Sequence, residues 1–273
     1  MAATPSRVPL RAVRLEPGDR RGEFPFSVPA IGALRELSLA TPVTFLVGEN
    51  GSGKSSFLEA LAWAAESVAA GSDAIDRDAT LAHVAPLGRA MRLTWNRRTR
   101  RGFFLRAEDF FGHVKQVNAS LAHHRSEAAR IRVESAHLPA GEVARITAPH
   151  TGSEHALAAR YGIDADARSH GEQFLAFFAA RLAPGGLYLL DEPEAPLSPS
   201  RQLALLSMLK EATEQRACQL VIATHSPILM ALPGAAIVSF DAVPPRTVAW
   251  DELESVRLVR DFLNAPERFL RHL

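Results

Sequence analysis

Apolar positions along the chain fall either in short runs that are apolar almost throughout or in longer stretches with helical spacing. Val43–Val47, Leu187–Leu190 and Leu220–Ala223 are runs of the first kind, and each reads as a buried strand; Ile237–Phe240 is a further apolar run near the end. Helical spacing follows two of them. Leu58, Leu61, Ala62 and Ala65 fall on one helix face, as do Leu205, Met208, Leu209 and Ala212, where Ser198 is placed to cap the helix and Pro199 to open it. Phe174, Leu175, Phe177 and Phe178 form a further apolar helical stretch just before the second run. Buried strands alternating with one-faced helices predict an α/β protein, a mixed sheet flanked by helices.

The remaining segments are less periodic. Two strand-like pieces, around Val8–Leu15 and Phe24–Val28, are broken by Pro17-Gly18 and Pro25 and are expected at the edge of the main sheet. Met91–Trp95 and Phe103–Leu105 read as a hairpin around the turn Asn96–Gly102. Residues 110–135 look helical, while Pro86, Pro139, Pro149 and scattered glycines interrupt any long heptad stretch. That predicts a compact, partly helical inserted lobe rather than an extended coiled-coil arm. Near the end, Pro244-Pro245, a strand near Thr247–Trp250 and a helix from about Glu252 to Asn264 are expected, with Val256, Val259, Phe262 and Leu263 docking that helix onto the core. The organisation expected is one domain over 1–273, with a core of 1–66 and 167–273 and an inserted lobe of 67–166.

Composition narrows the class without naming it. A chain of 273 residues, 47% hydrophobic and 22% charged, is long enough to bury a substantial core, and its net charge of +1 favours no polyanionic partner. The single cysteine, Cys218, lies beside an apolar run and reads as a buried, inert thiol, so no disulfide framework is possible within the chain and a reducing compartment fits. The N-terminus lacks the apolar core of a signal peptide, and no apolar run approaches the ~18 residues of a membrane span. The expectation is a soluble cytoplasmic protein.

Chemistry concentrates where the buried runs end. Val43–Val47 leads into Gly48-Glu49-Asn50-Gly51-Ser52-Gly53-Lys54-Ser55-Ser56, the spacing of a phosphate-binding loop that opens a helix. Glycines let consecutive N–H groups turn inward around a polyphosphate, Lys54 supplies a point charge to its β and γ groups, and Ser55 offers a hydroxyl to Mg²⁺. Leu187–Leu190 ends at Asp191-Glu192, paired carboxylates suited to holding Mg²⁺ (Asp191) and to orienting and polarising a water (Glu192). Leu220–Ala223 leads to Thr224-His225-Ser226-Pro227, and a histidine at that edge of an open α/β sheet reads as a γ-phosphate sensor. Phe24 or Phe26 is either an adenine-stacking ring or part of the core. Arg89, Arg92, Arg97, Arg98, Arg100, Arg101 and Arg106, with Trp95, Phe103 and Phe104 among them, are either a nucleic-acid footprint or a solvated hairpin tip. The histidines between 113 and 170 match no metal-site spacing.

Taken in order, these motifs resemble the ATP-binding-cassette (ABC) ATPases, specifically the soluble branch of chromosome-structural-maintenance (SMC) and DNA-repair ATPases. The phosphate loop is followed by a signature at Ser169-His170-Gly171-Glu172-Gln173, the strand ending Asp191-Glu192, a D-loop-like Ala195-Pro196-Leu197-Ser198 and the switch histidine His225. GENGSGKSSFLEAL, SHGEQFL, LYLLDEPEAPLSPSRQ and IATHSPILM look like a group of small, stand-alone bacterial AAA/ABC ATPases. Arg168 and His170 depart from the Leu-Ser-Gly-Gly signature, and no lobe-coupling glutamine is evident, with Glu108 and Gln116 the nearest substitutes. The resemblance implies an ATP hydrolase that binds Mg-ATP between two copies arranged head to tail. Glu192 and His225 are then catalytic, Ser55 and Asp191 bind the metal, and Gly48 to Ser56 with Ser169, Gly171 and Glu172 bind nucleotide. Its cycle is expected to drive a nucleic-acid or defence-related partner; the alternatives are a transporter's nucleotide-binding subunit and a dimerisation switch with negligible turnover.

Overall fold

A computed structural model describes residues 8–16, 18, 22–68, 79–161 and 170–271. The chain forms two compact units, one of 1–107 with 182–273 and the other of 108–181.

The first unit begins with β1 (Leu10–Leu15), a short helix α1 (Pro29–Ala33) and β2 (Glu36–Ser38). β3 (Val43–Val47) runs into α2 (Lys54–Ala64); α3 (Ala85–Ala90), β4 (Met91–Trp95) and β5 (Gly102–Arg106) follow. After the second unit come β6 (Leu187–Asp191), α7 (Pro199–Arg216), β7 (Gln219–Ala223), α8 (Pro227–Met230), β8 (Ala236–Ser239) and β9 (Arg246–Thr247), then α9 (Glu254–Asn264) and α10 (Pro266–Leu270). Among the described residues the main sheet has the order β5-β6-β7-β3-β8-β9, parallel throughout except for the β8–β9 pair. A second, antiparallel sheet has the order β2-β1-β4. The mixed α/β fold is therefore as expected, and β3, β6 and β7 are buried at every position.

Several details differ from the sequence reading. β4 and β5 are not a hairpin: β4 pairs with β1 while β5 joins β6 in the other sheet. Their patterns explain this, since Met91–Trp95 alternates between buried and more accessible positions whereas Phe103–Arg106 is buried throughout. Phe24–Val28 is a run of turns rather than a strand, with Ser27 and Val28 donating to the carbonyls of Glu23 and Pro25, because Pro25 and Pro29 supply no ladder donor. The N-terminal strand builds the separate sheet instead of the main sheet's edge. Gln219 joins the two sheets: its Oε1 accepts the Leu10 N–H at 2.7 Å, and its Nε2 donates to the carbonyls of Leu10 and Leu39 at 2.7 Å each. Phe26 belongs to the core with Ile31 and Phe57, while Phe24 is exposed. Ser198 caps α7 through its carbonyl, which accepts from the Gln202 N–H, and not through its side chain. Trp250 opens a 3-10 turn, so the strand near the end is only Arg246–Thr247. On α9, Val256 is buried, but Val259, Phe262 and Leu263 are exposed, so the expected docking rests on one residue.

The second unit is helical: α4 (Ala107–Glu134), α5 (Ala140–Tyr161) and α6 (His170–Arg181). Pro149 lies inside α5 instead of ending it, so its helices run longer than the proline spacing suggests. Arg125 pairs with Glu154 at 2.6 Å, and the His124 and His150 rings lie 5.5 Å apart. Phe110 meets Phe174 and Phe177 edge-on at 5.0 and 5.1 Å, which packs the start of α4 against α6. No helix among the described residues is long and apolar enough to cross a membrane.

Candidate active site

Parallel strands place everything that follows them on one edge of the sheet, and the chemistry-bearing residues of the first unit lie there. The loop Gly48–Gly53 leaves β3 and enters α2 with Gly53 as its N-cap in the left-handed region, φ 100°. A Cβ at Gly48 would stand 2.8 Å from Asp241 Oδ1 and 2.9 Å from Ser52 Oγ, so only glycine fits between them. Glu49, Asn50 and Gly51 form the loop's outer turn, and Ser55 and Ser56 belong to the first turn of α2. Lys54 is buried, and its Nζ donates to the carbonyls of Gly48 and Glu49 at 2.8 and 2.9 Å. Burial pulls its pKa below the ordinary lysine value, opposed by the charges of Glu192, Asp241, Asp191 and Glu49. Ser52 Oγ is buried with no hydrogen-bond partner, a hydroxyl inside the loop that a phosphate oxygen would satisfy.

Asp191 ends β6 and Ser55 donates to its Oδ1 at 3.1 Å, which brings together the two residues assigned to the metal. Burial raises the Asp191 carboxyl from 3.8 to about 7; the Ser55 hydrogen bond and Arg106 work against this, and Glu59 and Glu192 add to it. Arg106 lies opposite Asp191 in the β5–β6 register and pairs with Glu59 of α2 at 3.0 Å, both side chains nearly inaccessible. Glu59 also holds His83 at 3.1 Å.

Glu192 is a non-glycine residue in the left-handed region, φ 48°, with its N–H held by the Ala223 carbonyl at 2.9 Å. Such backbone carries strain and aims a side chain that a regular strand would not. Its Oε1 lies 3.8 Å from His225 Nε2, and both side chains are about half exposed. The loop carrying His225 is held by Glu194, whose Oε1 accepts from Thr224 Oγ1 at 2.6 Å, the His225 N–H at 2.7 Å and the Ser226 N–H at 3.1 Å. Ser226 in turn donates to Gln202 Oε1 at 2.6 Å and caps α8. The phosphate loop, Ser55, Asp191, Glu192 and His225 thus meet on one sheet edge.

The signature residues lie in the other unit. Gly171 is buried and Glu172 exposed in the first turn of α6, and Ser169 lies outside the described residues, as do the side chains of Glu108 and Gln116. Two residues went unremarked in the sequence. Asp241 accepts the Glu49 N–H at 2.7 Å, bracing the phosphate loop from the end of β8. Glu194 is the other. A signal existed for Asp241, since Ala236–Phe240 is an apolar run ended by a carboxylate just as Leu187–Leu190 is. Glu194 is two residues past the carboxylate pair, and nothing in its spacing reveals its long-range partners.

Two family models match the chain, over two separate stretches. One described as "AAA domain" covers residues 30–102, including the phosphate loop. One described as "AAA domain, putative AbiEii toxin, Type IV TA system" covers 155–231, including Asp191, Glu192 and His225. No curated protein matches the chain. Among solved structures it is similar to the "SMC head domain from Thermotoga maritima" at 16% identity and TM-score 0.44, over 88% of this chain and 98% of that one. It is also similar to "An inward-facing conformation of a putative metal-chelate type ABC transporter" at 16% identity and TM-score 0.41, over 81% and 77%. Phosphate loop and paired carboxylates, with AAA-domain matches over two separate stretches that contain them, are the features of a P-loop ATPase domain.

Proposed function

We propose that this protein hydrolyses Mg-ATP at the interface of a head-to-tail homodimer and couples the cycle to a nucleic-acid or defence-related partner. The observation that carries the hydrolytic reading is the Ser55–Asp191 contact at 3.1 Å, with Glu192 next in the chain and its Oε1 3.8 Å from His225 Nε2. Ser55 and Asp191 are hard oxygen donors of the kind Mg²⁺ selects. The need for a cation is electrostatic as well. Glu49, Asp191, Glu192 and Asp241 all act on Lys54, so the loop is net negative and admits a polyphosphate only with added positive charge. Bound there, Mg²⁺ would neutralise charge on the β and γ phosphates.

The chain's own residues then divide the work. Lys54 exchanges the carbonyls of Gly48 and Glu49 for phosphate oxygens, and the loop N–H groups and Ser52 Oγ cradle the same groups. Asp191 must lose its proton to serve the metal. Glu192 orients and polarises the attacking water, and His225, held in place by Glu194, contacts the γ-phosphate. Gly171 and Glu172, with Ser169, act on the nucleotide of the opposite copy, so that ATP closes the dimer and hydrolysis opens it. On this reading 1–273 works as one ATPase domain. The test is light scattering on Glu192→Gln with Mg-ATP, which is expected to accumulate a dimer, while Lys54→Ala loses nucleotide binding. A monomeric Glu192→Gln protein saturated with ATP would remove the dimer claim, and absence of wild-type turnover would remove hydrolysis.

A further inference from the structure

The edge of the main sheet opposite the phosphate loop carries a second site. β5, β6 and β7 begin at Gly102, Leu187 and Gln219, and the residues just before them line a cavity of about 580 Å³. Its charged lining is Arg97, Arg98, Arg100, Arg101 and Arg216, with no carboxylate. Strands of five residues, roughly 16 Å long, separate it from the ATP edge, so the two sites do not share a ligand.

The charge there is positioned and only partly cancelled. Arg98 pairs with Glu66 at 3.0 Å and Arg216 with Glu211 at 3.1 Å. Among the described residues no carboxylate pairs with Arg97, Arg100 or Arg101. Arg97 donates to the Gly185 carbonyl at 3.4 Å and Arg101 to the Pro184 carbonyl at 3.2 Å, and neutral acceptors fix a guanidinium without cancelling its charge. Gly185, at φ 67°, makes room for this, since a Cβ there would collide with the Arg97 guanidinium. Five cations against two paired carboxylates leave an excess of three in a chain whose net charge is only +1. The basic charge is therefore concentrated here.

We infer that this cavity binds the phosphodiester backbone of a double-stranded nucleic acid. The inference deepens the partner half of the function proposed above and does not depend on ATP hydrolysis. Arginine forks match phosphate oxygens, and the loop Arg97–Arg101, which could span at most roughly 17 Å, is long enough to contact several phosphates of a duplex that carries one charge per ~1.7 Å of axis. Bases are not read. No aromatic residue lines the cavity, and Phe103 and Phe104, next to the arginines in sequence, are buried, with Phe103 edge-on to Tyr188 at 5.1 Å. A single-strand platform needs exposed rings for stacking, so the geometry selects a duplex bound without sequence preference.

The test is fluorescence anisotropy of the full chain with a labelled 30-base-pair DNA duplex across a salt series. Replacing Arg97, Arg100 and Arg101 by alanine is expected to weaken binding at least tenfold at about 50 mM salt and to reduce the slope of log K against log salt by about three, near 0.9 per phosphate contact. Its DNA-free ATP turnover stays at the wild-type level, which separates this result from failure of the hydrolytic reading. Gly185→Ala keeps every charge but displaces Arg97, and a several-fold loss of affinity is expected. Unchanged affinity and slope in the triple variant would overturn the inference. So would poly-glutamate competing as strongly as unlabelled duplex, which would assign the cavity to acidic proteins.

Discussion

Asp191→Asn should make the metal-free protein more stable while destroying its activity. In the folded protein the Asp191 carboxyl keeps its proton up to about pH 7, against 3.8 when free. Between those values the folded state binds a proton that the unfolded state has released, so stability falls as pH rises through the window and the penalty is complete above it. At ~1.4 kcal/mol per pH unit the ceiling is ~4 kcal/mol, and about 2 kcal/mol is expected once the buried site relaxes and admits water. Asparagine has the same shape and no charge, so it escapes the penalty. In EDTA the variant should match wild type near pH 4 and exceed it by about 2 kcal/mol at pH 8, a rise in Tm of roughly 4–8 °C for a chain of this size. Thermal melts of both proteins across that range provide the measurement. Turnover with Mg²⁺ should fall by on the order of a hundredfold or more, because on the proposed function Asp191 is the carboxylate that would hold the metal. A stability gain that is flat with pH, or a loss at pH 8, would refute the reasoning about burial.

The same titration predicts that the apparent Mg²⁺ affinity of the ATP-bound protein drops as pH falls below 7, approaching tenfold per unit, because a protonated Asp191 is no ligand; isothermal titration at three pH values checks it. Glu194→Ala should cut turnover about tenfold or more with ATP affinity nearly unchanged, and Glu194→Gln, which keeps an acceptor oxygen, should recover much of it; full activity in the alanine variant would dismiss the positioning role. Arg106→Met leaves the buried Glu59 with His83 but without its guanidinium and should cost about 3 kcal/mol in urea unfolding, most of it regained in Arg106→Met/Glu59→Leu. Gln219→Leu strands three backbone groups between the sheets, and a loss of about 3 kcal/mol is expected in the same assay.

How much of this was legible in the sequence depended on whether the signal was local. The phosphate loop, the Asp191-Glu192 pair and His225 each follow directly from a buried run, so strand position and chemistry arrive together in adjacent residues. β4 and β5 form no hairpin because adjacency in the chain does not set pairing, and the wholly apolar run Phe103–Leu105 has the pattern of a strand in a parallel sheet. Docking of α9 is narrower than expected, through Val256 alone, because helical spacing shows that an apolar face exists, not how much of it is covered, and Val259, Phe262 and Leu263 remain exposed. Gln219, Glu194 and the Arg106–Glu59 pair act across 30 to 209 positions, and no periodicity encodes such partners. The arginine cluster was visible, but Arg216 and Gly185, which complete its cavity, come to it only through the fold.

The two edges of the main sheet are joined by more than distance. β5 starts where the arginine loop ends and finishes at Arg106, whose backbone pairs with Asp191 and whose guanidinium holds Glu59, one turn along α2 from Ser55. Both the strand and the ion pair are buried, and buried parts shift as units because close packing leaves no slack. At the far end of that strand Arg106 lowers the Asp191 carboxyl's pKa and Glu59 raises it. Moving Arg106 toward or away from Asp191 would change how easily Asp191 gives up its proton, and only the ionised form serves the metal. The basic edge and the ATP edge are thus the two ends of one five-residue strand, with the Arg106–Glu59 pair at the end that lies beside Asp191.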